Sequence, residues 1–390
     1  KVHNKTTNTY EEIPIKQKHI MRYPQFFATR AIIKRLGEKD KNGIIWHTQG
    51  SGKTALSAYS NKVISDYFAK KSVNARFFFI VDRLDLMRQA TTEFINRGFK
   101  VTNVSDKIEF AKELKKPLDE ENDCIGTICV VNIQKLMEES KMPVVENDYN
   151  VKVQRIFFVD EAHRSYNVHG EFFKNLMTCD DHGIYIAMTG TPLLTKKERS
   201  NLKFGDYIHK YFYDKSIADG YTLRIKKEQI DTTAKAEIRA NLEIENQDLD
   251  SKDVYESHDY IEGVSKYIEK DFRNFRLVNS DMTIGGMIVC RSNEQAKGIH
   301  EWFKTNSTKL TSGLVLSDSE NTVEQNEINK QNQINFRDND YPDILVVHYM
   351  LTTGYDVKRL KKMYLLRGPH AQSLLQTISR VNRPYKNPQG

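Results

Sequence analysis

A glycine-rich stretch at residues 50–54, GSGKT, stands between an apolar run and a helix pattern and has the residue types that bind phosphate. Glycines let successive backbone N–H groups turn towards one anion, and a following helix N-terminus adds the positive end of its dipole. In such a loop the lysine, here Lys53, reaches the β- and γ-phosphates, and the hydroxyl of Thr54 ligates Mg²⁺. The usual eight-residue pattern begins with glycine, whereas His47 occupies that place here.

A second group of chemically active residues is the acidic pair Asp160 and Glu161, which follows the apolar run RIFFV. A carboxylate at the carboxyl end of a strand can hold Mg²⁺ beside a nucleotide, and an adjacent glutamate can act as general base on the attacking water. An isolated Asp-Glu pair is common in loops. Its place after the phosphate-binding pattern and several intervening strand and helix patterns favours the catalytic interpretation.

Three further segments complete an ordered set of motifs. They are TGTP at 189–192, TGYD at 353–356 and QTISRVNR at 376–383. Together with GSGKT and the DEAH of 160–163, this set resembles the superfamily 2 helicases and translocases, which have two RecA-like lobes. The resemblance implies that TGTP couples the ATP state to nucleic acid, that TGYD touches both nucleotide and nucleic acid, and that the final arginines face the γ-phosphate.

The wording of the motifs is similar to that of the motor (R) subunits of type I restriction enzymes. The similar segments are RYPQ at 22–25, WHTQGSGKT at 46–54, VDRLDL at 81–86, NIQKL at 132–136, DEAHRS at 160–165 and IADGY at 217–221. In that family a histidine stands where the first glycine would be, and an arginine and a glutamine like those at 22 and 25 contact adenine. The family has threonine where Asn132 stands here.

The resemblance assigns roles to individual residues. The expected catalytic residues are Lys53, Glu161, Arg380 and Arg383, and the expected metal ligands are Thr54 and Asp160. The expected nucleotide-binding residues are Arg22, Gln25, Gly50, Ser51, Gly52, Lys53, Thr54, Gly354 and Asp356. The residues expected to contact nucleic acid or to couple it to ATP are Arg83, Gln134, Lys135, His163, Thr189, Thr191, Thr353 and Gln376.

Short apolar runs that alternate with helix patterns must position these residues. Continuous β-branched and aromatic runs are typical of strands covered on both faces, and intervening helices predict right-handed crossovers and a parallel sheet. The expected strands are 43–47, 76–81, 125–131, 155–160, 183–188, 285–290, 313–316, 343–348 and 362–366, and helices are expected at 53–69, 84–96 and 371–381. The fold class is therefore α/β, with RecA-like domains at 1–222 and 223–390. The charged stretch 231–276 predicts a helical connector.

Composition excludes several classes of protein. The 59 Lys and Arg against 52 Asp and Glu give a net charge of +7, which permits nucleic acid binding without demonstrating it. The sequence has no run of 18 apolar residues and no apolar segment at its start, so neither a membrane span nor a signal peptide is expected. The cysteines at 124, 129, 179 and 290 have no metal-ligand spacing, which favours reduced, buried thiols in a cytoplasmic protein.

These observations predict the ATP-driven, Mg²⁺-dependent translocase core of a type I restriction R subunit acting on double-stranded DNA. Its partners would be the methyltransferase and specificity subunits, contacted through regions outside this chain, and the nuclease domain is also expected outside it. One alternative is another superfamily 2 DNA or RNA helicase, which the nucleic acid that activates ATP hydrolysis would identify. A second alternative is a non-catalytic, nucleotide-gated DNA-binding module, which would show no turnover.

Overall fold

A computed structural model gives the protein as two compact units. It describes residues 2–4, 9–11, 18–116, 126–132, 152–160, 176–177, 179–190, 204–230, 252–316, 323–348, 357–367, 377–378, 381–382 and 385. The first unit comprises residues 1–47 and 52–210, and the second comprises 48–51 and 211–390. No helix among the described residues is both long enough and apolar enough to span a bilayer.

The first unit is built on a seven-stranded sheet. The strands of this unit are β1 (Val2–Asn4), β2 (Thr9–Glu11), β3 (Gly43–His47), β4 (Asn74–Val81), β5 (Lys100–Val104), β6 (Thr127–Asn132), β7 (Val153–Asp160), β8 (Ile184–Thr189) and β9 (Tyr207–Tyr211). Strands β1 and β2 form a separate antiparallel pair. The sheet order is β5-β6-β4-β7-β8-β3-β9, and the pairs from β5 to β3 are parallel.

Helices cover both faces of this sheet. They are α1 (Tyr23–Leu36), α2 (Lys53–Ala69), α3 (Leu84–Ile95) and α4 (Lys107–Lys115). Along β4, Phe77 and Phe79 pack in one core with α1, α2 and α3, whereas Phe78 and Ile80 pack in the opposite core with α4. Successive strand residues point to opposite faces, so two covered faces require the continuous apolar run RFFFIV. The parallel α/β prediction is therefore confirmed for this unit.

The pairing register brings the carboxyl ends of the strands to one edge of the sheet. Asp160 of β7 pairs with Met188 of β8, and the next residue of β8, Thr189, pairs with Trp46 of β3. On the other side of β7, Val81 of β4 pairs with Asn132 of β6. Because all these strands are parallel, the segments that follow them also start from this edge.

The second unit has a four-stranded parallel sheet. Its elements are α5 (Tyr213–Ala218), α6 (Lys252–Tyr255), α7 (His258–Val278), β10 (Gly285–Val289), α8 (Asn293–Asn306), β11 (Ser312–Val315), α9 (Val323–Asp338), β12 (Ile344–Val347) and β13 (Leu360–Leu365). The strand order is β11-β12-β10-β13, and all three pairs are parallel. The four strands predicted in this part of the sequence are confirmed.

The predicted helical connector proves to be helical where it is described, but α7 is an integral layer of the second unit. Its Val264, Ile268 and Phe272 are buried in one core with residues of β10, β12 and α8. A polar face and an apolar face on one helix are what such a covering layer requires. Residues 231–251 lie outside the described residues, as does most of the helix predicted at 371–381.

Three cysteines are described, and each is a buried thiol outside any disulfide bond. Burial raises the pKa of Cys179 to about 12, and it also raises the pKa of Cys129 and Cys290. The prediction of reduced, buried thiols is confirmed for these three.

Candidate nucleotide-binding site

The backbone of the glycine-rich loop adopts conformations that side chains would oppose. Gly50 has φ +81° and Gly52 has φ +82°, both in the left-handed region that favours glycine. A Cβ placed on Gly52 would also lie 2.6 Å from the Nε2 atom of Gln25. Glycine at position 52 therefore serves both the turn of the chain and the close approach of a neighbouring side chain.

This loop leads directly into the N-terminus of a long helix. Gly52 is the N-cap residue of α2, and Lys53 is its first residue. The first turn contains no acidic side chain, so the positive end of the helix dipole and its free amides remain suited to an anion. The ammonium of Lys53 donates to the carbonyl of His47 at 3.5 Å, which draws the lysine back over the loop that precedes it.

Gln25 connects α1 to the same loop. Its Nε2 donates to the carbonyl of Gly52 at 3.0 Å, while its Oε1 accepts from the N–H of Arg22 at 2.8 Å. The side chain is buried, with 3% of its surface exposed. The structure thus places both predicted adenine-contacting residues beside the phosphate-binding loop. Their contact with adenine remains a prediction.

The histidine that replaces the first glycine is paired with a second histidine. The Nε2 of His47 lies 2.7 Å from the Nδ1 of His209 on β9, and His47 is fully buried. Burial lowers the pKa of His47 to about 2, with smaller contributions from His209 and Lys53. The imidazole of His47 is therefore neutral at physiological pH. No motif marks His209 in the sequence, so only the sheet pairing reveals this contact.

The remaining described site residues lie along the carboxyl edge of the sheet. Asp160 ends β7 and is separated from β3 by β8 alone, a distance of about 10 Å across two strand spacings. Thr189 ends β8 and is buried, and the following carbonyl of Gly190 accepts from the indole N–H of Trp46 at 3.2 Å. Arg83, just after β4, has its Nε 3.9 Å from a carboxylate oxygen of Asp82.

The side chains present are chemically suited to a magnesium nucleotide. The hydroxyl of Thr54 and the carboxylate of Asp160 supply oxygen donors, which Mg²⁺ prefers. Thr54 is the second residue of α2, and its carbonyl is occupied by the hydroxyl of Ser57 at 2.7 Å. The left-handed glycines and the helix N-terminus are the backbone features that favour binding of a phosphate anion.

Ten predicted site residues are among those that the structure describes, at α1, in the glycine-rich loop and α2, and at the carboxyl ends of β4, β7 and β8: Arg22, Gln25, Gly50, Ser51, Gly52, Lys53, Thr54, Arg83, Asp160 and Thr189. Other predicted residues lie outside the described residues, and their roles remain predictions. These are Gln134, Lys135, Glu161, His163, Thr191, Thr353, Gly354, Asp356, Gln376, Arg380 and Arg383.

Known proteins are similar to this chain in sequence, and others are similar to it in fold. A type I restriction enzyme endonuclease subunit of Staphylococcus aureus is 27% identical over 94% of this chain and 42% of its own length. A corresponding subunit of Staphylococcus saprophyticus is 26% identical over 94% of this chain and 43% of its own length. The chain thus spans about two fifths of these relatives.

Two solved structures have the same fold. A fragment described as an HsdR subunit of a type I restriction enzyme from Vibrio vulnificus has a TM-score of 0.56 at 17% identity, covering 94% of this chain and 61% of that one. The ATP-dependent Type ISP restriction-modification enzyme LlaBIII, bound to DNA, has a TM-score of 0.62 at 15% identity, covering 96% of this chain and 27% of that one.

Two family matches cover most of the chain. Residues 24–258 match the SWI2/SNF2 ATPase family, and residues 214–389 match domain 3 of the type I restriction enzyme subunit R. The first match contains the phosphate-binding loop, Gln25 and Asp160, so the similarity includes most of the site described above. The chain belongs to the SWI2/SNF2 ATPase family, and its second part is similar to domain 3 of the type I restriction enzyme subunit R.

Proposed function

We propose that this chain is the ATP-dependent motor core of a type I restriction enzyme R subunit and moves double-stranded DNA. The observation that carries the proposal is the phosphate-binding loop, in which left-handed Gly52 leads into the first turn of α2 with Lys53 at its start. The proposed partners are double-stranded DNA and the methyltransferase and specificity subunits of the complex, and the proposed location is the cytoplasm. The domains at 1–222 and 223–390 would be the two motor lobes.

ATP hydrolysis needs the charge on the phosphates to be offset and a water to be activated. Lys53 would neutralise charge on the β- and γ-phosphates, while the amides at the start of α2 would hold their oxygens. Mg²⁺, held by Thr54 and Asp160, would supply a charge that stabilises the leaving phosphates. Glu161, next to Asp160, would accept a proton from the attacking water.

The second half of the ATP site would come from Arg380 and Arg383. Arginines of this kind stabilise negative charge that develops in the transition state, which contributes about 10³-fold or more to turnover. Because they are distant in sequence from Lys53, a joint role requires the two lobes to close over ATP. Repeated closure and opening would then drive movement along the DNA backbone. Contacts made mainly to phosphates would give movement without sequence preference.

The test is ATP turnover by the purified chain in the presence of Mg²⁺ with double-stranded DNA, single-stranded DNA or RNA. We expect the greatest stimulation by double-stranded DNA. Lys53→Ala should abolish turnover, whereas the matched control Lys62→Ala, an exposed lysine on the same helix, should preserve it. Stimulation by RNA or single strands alone would instead favour a helicase. Wild-type protein that binds ATP without turnover would favour a nucleotide-gated binding module.

A further inference from the structure

Strand β9 makes two hydrogen-bond contacts with residues at the start of the phosphate-binding loop, and the segment that follows β9 passes close to Gly50. The Nδ1 of His209 meets the Nε2 of His47 at 2.7 Å. The N–H of Thr48 donates to the carbonyl of Tyr211 at 3.0 Å. A Cβ added to Gly50 would lie 3.8 Å from the methyl carbon of Thr222. The Thr48 contact is made by backbone atoms alone, so His209 is the polar side chain through which the support can be tested.

The contact between the two histidines is directional. The ring centroids are 4.9 Å apart with the planes at 61°, so the rings are inclined to one another in a T-shaped arrangement and are not stacked face to face. A neutral imidazole has one N–H and one acceptor nitrogen, and a 2.7 Å separation requires one ring to donate and the other to accept. Because His47 is fully buried, loss of this partner leaves a polar nitrogen without the hydrogen bond that offsets its burial.

The position of the His47 ring is connected to the catalytic lysine through the main chain. The carbonyl of His47 accepts from the ammonium of Lys53, and His47 is the last residue of β3 before the loop turns. A displacement of the His47 backbone would therefore move the acceptor that holds Lys53 as well as the start of the loop. The side chain of His209 limits that displacement from a neighbouring strand.

We propose that His209 is a positioning residue for the phosphate-binding loop: it holds His47, and thereby the loop and Lys53, in the arrangement that accepts a nucleoside triphosphate. The proposal rests on the proposed function, since it assigns a support to that same site. His209 itself need not touch the nucleotide.

The test compares two substitutions of His209 with a control at the neighbouring position. His209→Leu keeps a side chain of similar size but removes the hydrogen bond. His209→Asn places an amide close to the position of Nδ1. We expect His209→Leu to raise the KM for ATP about tenfold, the effect of one buried hydrogen bond, with kcat changed less than about twofold. His209→Asn should restore the KM to within about twofold of wild type. Lys210→Ala, at the exposed neighbouring position on β9, is the matched control and should behave as wild type.

A second measurement does not depend on ATP. Amide hydrogen exchange of the free protein should be faster over residues 48–53 in His209→Leu than in wild type, and His209→Asn should reverse the increase. Equal exchange and equal KM in the leucine variant would overturn the proposal. Wild-type protein that does not bind ATP would refute the proposed function instead, and the exchange comparison would still decide whether His209 supports the loop.

If His209→Leu does not fold, as thermal unfolding would reveal, His209→Gln takes its place. Glutamine is polar like asparagine, but its amide lies one bond further from the backbone, away from the position of Nδ1. A glutamine variant with raised KM beside an asparagine variant with normal KM supports positioning. Equal KM values for asparagine and glutamine would contradict it, because polarity alone would then be sufficient.

Discussion

The bond between Gln25 and Gly52 offers a direct test of how the phosphate-binding loop is held. Gln25→Glu keeps the size and keeps an oxygen that can accept from the N–H of Arg22. It removes the amide hydrogens that Gln25 donates to the carbonyl of Gly52. At this buried position the introduced carboxylate would face a carbonyl oxygen, so attraction is replaced by repulsion.

The expected cost follows from the burial of the bond. A buried neutral hydrogen bond contributes about 1 kcal/mol, and an acceptor left unsatisfied there costs about 1 to 3 kcal/mol. We therefore expect Gln25→Glu to destabilise the present arrangement of the loop by about 2 kcal/mol. If only that arrangement binds nucleotide, the apparent affinity falls in proportion to its population. The Kd for ATP should then rise about 30-fold, since 1.4 kcal/mol corresponds to a factor of ten.

The assay is titration of a fluorescent ATP analogue in the presence of Mg²⁺, with thermal unfolding measured in parallel. The matched control is Gln331→Glu, which makes the same change of charge at an exposed position on α9, and it should leave the Kd unchanged. An unchanged Kd in Gln25→Glu would refute the argument that this bond holds the loop. A lower melting temperature with an unchanged Kd would show that Gln25 stabilises the fold alone.

Three further predictions concern single residues. Glu161→Gln should retain ATP binding and lose turnover, because only the proposed base is removed; equal loss of binding would contradict that role. Arg380→Ala or Arg383→Ala should reduce kcat by about 10³-fold with a smaller change in nucleotide affinity, and unchanged turnover in both would argue against a shared ATP site. The lowered pKa of His47 means that acid protonates this group in the unfolded chain before the folded one. Stability should therefore fall as pH decreases below about 6.5, by about 1.4 kcal/mol per pH unit for this residue. Urea unfolding at pH 7.5 and 5.5 should show a smaller loss for His47→Asn, and an equal loss would disprove the assignment.

The central strands could be predicted from the sequence because burial on both faces leaves a simple pattern. The run at Phe77, Phe78 and Phe79 is continuous since consecutive side chains enter opposite cores. Strands β5 (KVTNV) and β9 (YIHKY) carry no such pattern, and both lie at the ends of the sheet order. Among the described residues each has a neighbouring strand on one side only, and most of their residues are partly or fully exposed. Their conformation depends on pairing with a distant part of the chain, which local sequence does not specify.

The site likewise contains residues that could be predicted from the sequence and residues that could not. Gly52, Lys53 and Asp160 are recognisable because phosphate and metal chemistry requires those residue types at those places along the chain. The contact of His209 with His47 depends on β9 lying beside β3, after a separation of 162 residues. The hydrogen bonds of Gln25 to Arg22 and Gly52 could not be predicted from the sequence either. The motif around Gln25 indicates contact with the base of the nucleotide, and not with the loop that binds the phosphates. Residues that support a site leave weaker patterns than residues that perform its chemistry.

The buried thiols of Cys129, Cys179 and Cys290 have a practical consequence for spectroscopy. Maleimides and similar reagents attack the exposed thiolate, and burial both blocks access to these sulfurs and raises their pKa. The remaining cysteine, Cys124, lies outside the described residues. A Cys124→Ser background should therefore accept a single dye at an introduced surface cysteine while the three native thiols stay unlabelled. Pairs of such sites would allow the distance between two dyes to be followed during nucleotide turnover without replacing the three buried cysteines.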